Sequence, residues 1–176
     1  MRIEYARLEQ EIHGEDYRSL LLGLKEKAPF LNRFDTWANV VAFMRDDVLN
    51  ARLTDEVLKP IFEAHKKSGD KRWRTILLVI FWPGLEAIYR RKIRWDPDHQ
   101  ERWQNIVWTF LKIVCRIDVS RRPNRLVQKV INYTIHHLYD EYRRIWKIKC
   151  QEITPDSDAA FESLVRNIEG VEYAYV

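Results

Sequence analysis

The chain has 176 residues, 46% hydrophobic and 32% charged, a balance that builds a globular core and excludes a disordered polymer. Its longest apolar run, Ile76 to Trp82, is too short to cross a bilayer, and the opening MRIEYARLEQ lacks the apolar core of a signal peptide, so a cytoplasmic protein without a membrane partner is expected. The charge is uneven: residues 1–70 carry net −2, residues 71–150 net +11 and residues 151–176 net −5.

Six of the seven tryptophans fall in the basic middle, at Trp73, Trp82, Trp95, Trp103, Trp108 and Trp146. A segment both cationic and aromatic neutralises phosphates and offers flat faces on which unpaired bases stack, which makes nucleic acid the leading partner. A packed helical core with a solvated basic rim has the same composition. The expected organisation is an N-terminal helical extension over 1–70 packed on the core, a basic aromatic-rich core over 71–150, and an acidic tail over 151–176.

Few glycines and apolar residues recurring every three or four positions predict an all-α helical bundle of about six helices. The first runs from about Asp16 to Lys27 and stops before Pro29. Phe34-Asp35-Thr36 opens a second, carrying Trp37, Val40, Val41 and Met44, because Asp and Thr accept hydrogen bonds from the unpaired N–H groups of a helix start. Thr54-Asp55-Glu56 opens a third that ends near Ser68-Gly69, where Lys66 and Lys67 meet the negative end of the helix dipole. The fourth begins near Asp70; apolar on every side from Ile76 to Trp82, it is expected at the centre of the fold, with a kink at Pro83-Gly84. Trp95-Asp96-Pro97-Asp98 reads as a turn. A fifth helix, about Asp98 to Arg116, places Trp103, Val107, Phe110 and Val114 on one face. Asp118 to Pro123 is a loop holding Arg121 and Arg122, followed by a long sixth helix over about Pro123 to Cys150. Ser157 to Asn167 reads as a short helix in the tail.

At 100° per residue, with Arg125 at zero, Lys129, Asn132, His136, Tyr139, Arg143 and Lys147 fall within about 40° of it on the sixth helix. Val127, Val130, Thr134, Leu138 and Ile145 lie opposite and are expected to face the core. The stripe's cations suit phosphates, while Asn132, His136 and Tyr139 suit base edges or faces. An amphipathic helix always has a polar face, but one that only meets solvent usually mixes its signs. On the fifth helix Trp108 falls away from the apolar face. An N-terminal helix is expected to cover it; exposed, it would be an anchor for a partner.

Three stretches, LLVIFWPGLEAIYRRK, ERWQNIVWTFLKIVCRID and RRPNRLVQKVINYTIHHLYDEYRR, together resemble region 2 of bacterial sigma factors, the helical domain that binds RNA polymerase and opens promoter DNA. The likeness covers about residues 71–150 and is divergent, without the family's C-terminal helix-turn-helix domain. It implies a sigma region 2-like three-helix core. It also implies polymerase binding through Gln104, Trp108 and Lys112, and promoter DNA, single-stranded, on Arg121, Arg122, Arg125, Lys129, Asn132, His136, Tyr139, Arg143 and Lys147. Gln104 and Trp108 stand where the family's clamp-binding motif carries acidic residues.

No cofactor, metal site or catalytic group is expected: the histidines and cysteines lack metal-ligand spacing on one face, and the glycines do not cluster into a phosphate loop. Cys115 and Cys150 read as buried small hydrophobes. Two other readings are compatible with the sequence. One is a helical protein-interaction or generic nucleic-acid-binding module without polymerase. The other is a helical ribonuclease using the Arg94-x4-His99 spacing, with the imidazole as general base.

Overall fold

The computed structural model describes residues 2–46, 51–120 and 124–152 and is all-helical there. In chain order the α-helices are α1 (Arg2–Glu11), α2 (Glu15–Lys25), α3 (Trp37–Met44), α4 (Ala51–Ser68), α5 (Arg72–Arg91), α6 (His99–Arg116) and α7 (Leu126–Glu152), with a 3-10 turn at Pro29–Arg33 between α2 and α3. The expected tail helix over residues 157–167 lies outside the described residues.

Local chemistry accounts for most boundaries. Thr36 caps α3 in a reciprocal box: its hydroxyl accepts from the Asn39 amide, and the Asn39 side chain accepts from the Thr36 N–H at 3.1 Å. Asp98 caps α6 by accepting from the amides of Gln100 and Glu101 at 2.8 and 2.9 Å. Gly69, at φ 66°, ends α4 in the left-handed region open to a residue without a Cβ. Pro83 sits inside α5, which runs as one helix from Arg72 to Arg91. Helix α1 has no counterpart among the expected elements. It buries none of its own residues, so it carries no apolar stripe to read.

Two compact units are present, Met1–His136 and His137–Val176. In the first, α5 is the central rod: every residue from Ile76 to Trp82 is buried, as the all-round apolar pattern requires. It packs against α1, α3, α4 and α6. Aromatic rings thread this core, with Trp82 4.8 Å from Trp103, Phe81 5.4 Å from Phe110 and Trp37 6.2 Å from Trp73 between ring centroids. Gly84 lets α7 approach α5, since a Cβ there would lie 2.6 Å from Cδ1 of Ile131. In the second unit, Leu138 and Tyr142 of α7 are buried, and the Tyr142 ring stacks on Trp146 at 5.9 Å.

The expected apolar face of the fifth helix needs correction. Trp103, Phe110 and Val114 of α6 are buried, but Val107 is only partly so, and the buried set includes Ile106, Thr109, Ile113 and Arg102. Arg102 is 1% exposed. Its guanidinium donates to the carbonyls of Asp96 and Ile93, lies 4.3 Å from the centre of the Tyr89 ring and reaches Nδ1 of His99 at 2.9 Å. A buried cation is tolerated where fixed acceptors and a ring face replace its water; the 93–98 turn supplies the carbonyls and Tyr89 of α5 the ring.

Candidate nucleic-acid interface

Helix α7 has much of the sidedness that its sequence predicts, with departures at Val127 and Ile145. In the first unit Leu126, Val130 and Thr134 are buried, while Arg125, Asn132 and His136 are exposed and Lys129 is half-buried. Thr134 satisfies its hydroxyl by donating to the Val130 carbonyl at 2.8 Å. Val127, expected in the core, is 36% exposed. It lines an open groove of about 400 Å³ with Met44, Ile80, Pro83, Gly84 and Ile131. Leu126 takes the core position instead. In the second unit Arg143 and Lys147 are exposed, Tyr139 is half-buried with its ring edge-on to Trp146 at 6.4 Å, and Ile145 is half-buried.

Arg125, Arg143 and Lys147 form no ion pair with a described residue. Some cations elsewhere on the protein do: Arg72 binds Asp70 at 2.6 Å, Arg90 binds Glu86 at 2.6 Å and Lys66 binds Asp118 at 3.3 Å, while Arg91 and Arg94 do not. Arg121 and Arg122 lie outside the described residues.

The start of α7 is held from outside the helix. The Asp55 carboxylate, on α4, accepts from the Arg125 amide at 2.6 Å and from the Leu126 amide at 2.7 Å. Sequence reasoning assigned Asp55 to the opening of its own helix; the described part of α4 already begins at Ala51, and the carboxylate serves a helix 70 residues away.

On α6, Gln104 is exposed, Trp108 is 62% exposed and Lys112 is half-buried with its ammonium 5.9 Å from the centre of the Trp108 ring. The expectation that an N-terminal helix covers Trp108 therefore fails. Helix α1 instead docks one turn earlier, where the Trp103 indole N–H donates to Glu4 at 3.1 Å. Trp108 borders an open groove of about 520 Å³ with Glu4, Trp103, Gln104, Asn105, Val107 and Leu111.

Composition overstated the aromatic surface. Trp73, Trp82, Trp95 and Trp103 are buried, which leaves Trp108 exposed and Trp146 half-buried. At the Arg94-x4-His99 spacing, Nδ1 of His99 accepts from the Arg102 guanidinium and lies 3.0 Å from the Tyr89 hydroxyl. Cys115 is exposed, not buried, with Sγ 3.9 Å from Nε2 of His65. Among the described residues no cluster of three metal-ligating side chains occurs, and no helix is long and apolar enough to cross a membrane. Comparison with protein-family models, curated proteins and solved structures finds no match.

Proposed function

We propose that the chain is a sigma factor-like transcription protein that binds promoter DNA along the exposed side of α7 and core RNA polymerase through Gln104, Trp108 and Lys112 of α6. The observation that carries the reading is the state of the cations on α7. Arg125, Arg143 and Lys147 face solvent without an ion-pair partner among the described residues, while Leu126, Val130 and Thr134 on the other side are buried. Exposed cations without an ion-pair partner release counterions when they meet phosphates, the main source of affinity for nucleic acid.

The mechanism follows from what each group offers. Arg125, Arg143 and Lys147, with Lys129, engage the backbone of the non-template strand. Asn132 and His136 contact base edges, and Tyr139, set against Trp146, offers a ring to an unstacked base. Single strands suit this side better than duplex, because stacking needs an exposed base face. Trp108 supports the second half of the proposal: a large exposed aromatic ring beside an apolar groove is the kind of anchor that dominates protein interfaces.

Retention on core RNA polymerase, combined with fluorescence titration of labelled single-stranded and duplex promoter oligonucleotides, tests both halves. Retention with a single-strand preference is expected. Salt-sensitive binding of DNA without retention on polymerase would select a generic nucleic-acid-binding module, and retention without DNA binding would select a protein-interaction module.

A further inference from the structure

We infer that Asp55 is a positioning residue for the nucleic-acid face: its carboxylate holds the first turn of α7 and thereby sets how Arg125 and Lys129 are presented. The inference rests on the proposed nucleic-acid reading of α7. It gives the N-terminal part of the chain a role in binding that its own net negative charge would not suggest.

The geometry has three parts. First, the two oxygens of Asp55 divide the work, Oδ2 accepting from the Arg125 amide at 2.6 Å and Oδ1 from the Leu126 amide at 2.7 Å. These are N–H groups that a helix start leaves without an intrahelical acceptor, and an anionic acceptor there is favoured by the helix dipole. Second, Arg125 has φ 56°, in the left-handed region that a residue with a Cβ adopts only when its surroundings hold it. The bond from its amide to Asp55 supplies that hold, and its carbonyl then accepts from the Lys129 amide at 3.0 Å to begin the ladder. Third, the clamp bridges distant parts of the sequence, so the first turn of α7 is fixed relative to α4 within the first unit.

The occupied helix start has a further consequence. A helix N-terminus is a ready site for a phosphate, and here a carboxylate already fills it. Nucleic acid therefore meets the side of α7, through Arg125 and Lys129, and not its end.

Positioning and plain electrostatics predict opposite signs, which makes the inference testable. Removing a negative charge near a cationic face tightens binding to a polyanion by general attraction. If Asp55 positions the helix, Asp55→Ala instead weakens binding of a labelled single-stranded oligonucleotide by about fivefold, the factor by which a lost helix cap lowers the population of an ordered first turn. Asp55→Asn, which keeps one acceptor oxygen, falls between Ala and wild type. Glu56→Gln, the same charge change at the exposed neighbouring residue, leaves affinity equal or slightly tighter. Hydrogen exchange read on the full chain without DNA should show faster exchange of the Arg125 and Leu126 amides in Asp55→Ala and none in Glu56→Gln. Unchanged exchange at these amides, or Asp55→Ala binding as tightly as Glu56→Gln, overturns the inference. A wild type that binds no oligonucleotide at low salt, while Asp55→Ala still loses protection at 125–126, overturns the nucleic-acid role and leaves Asp55 only an anchor of the fold.

Discussion

Helices α5 and α7 both come from the basic, aromatic middle of the chain, yet they use that composition in opposite ways. α5 buries seven consecutive residues, Ile76 to Trp82, and pairs Arg72 and Arg90 with carboxylates at its two ends. In its first-unit part α7 buries only Leu126, Val130 and Thr134, and Arg125, just before its first residue, is exposed and without an ion pair among the described residues. The difference teaches that net charge and tryptophan content do not mark a binding surface by themselves. A helix surrounded along its middle turns its aromatics into core; a helix covered on one side has a face left over.

Truncation should separate the two helices most sharply. Leu77, fully buried at the centre of α5, is expected to cost about 2–5 kcal/mol as Leu77→Ala, from lost transfer energy and the cavity left behind. Arg143→Ala, on the exposed side of α7, should stay within about 0.5 kcal/mol of wild type. Urea unfolding of both variants checks this, and a large loss at Arg143 would mean that the side chain is structural. Trp108→Ala lies between the two in kind: it should leave the urea midpoint nearly unchanged while weakening retention on polymerase by about tenfold or more, as expected for an interface anchor. A large loss of stability with retention intact would return Trp108 to the core.

The pH dependence sharpens the comparison on the α5 side. Burial, and then the neighbouring Arg74 guanidinium, push the His65 imidazole below its ordinary value. The unfolded chain thus takes up this proton at a higher pH than the folded one. Stability is unaffected above about pH 6.5 and falls as the pH drops below it. Melting temperatures measured from pH 7.5 to 5 should decline in wild type, and the decline should shrink in His65→Leu. The carboxyls of Asp70, Asp98 and Asp118 are all held low, that of Asp118 at about 2 by Ser120 and Lys66. They add their loss only at more acidic pH, below the ordinary carboxyl range, as each takes up a proton. The smallest effect is expected at a local cap: Thr36→Ala should cost about 1 kcal/mol and leave DNA binding unchanged.

Much of the fold was legible because its signals are local. The Thr36 cap, the Asp98 cap, the Gly69 stop and the all-round apolar run of α5 each depend on residues within a few positions of one another. The features that escaped depend on distant partners. Arg102 reads as one more surface cation until the 93–98 turn brings its carbonyl acceptors and Tyr89 supplies a ring face. Asp55 reads as a helix opener until α7 arrives. α1 is held through Glu4 and Tyr5 against Trp103 and Trp82, and no apolar period announces it. Trp108 was misassigned for the converse reason: a helix was expected over it, and α1 docks one turn away. The polar stripe on α7 was read from helical period alone; the structure divides its residues between the two compact units, and Arg125 stands just before the helix, where Asp55 of α4 holds its amide.

The most direct test of the account is the salt dependence of single-stranded DNA binding, in wild type and in the double variant Lys129→Glu with Arg143→Glu, with circular dichroism showing both folded. Logarithmic affinity should fall linearly with logarithmic salt in wild type. The reversal should reduce that slope by about 2 and weaken binding by about 100-fold at low salt. An unchanged slope and affinity in the folded double variant would contradict the assignment of α7 as the nucleic-acid face.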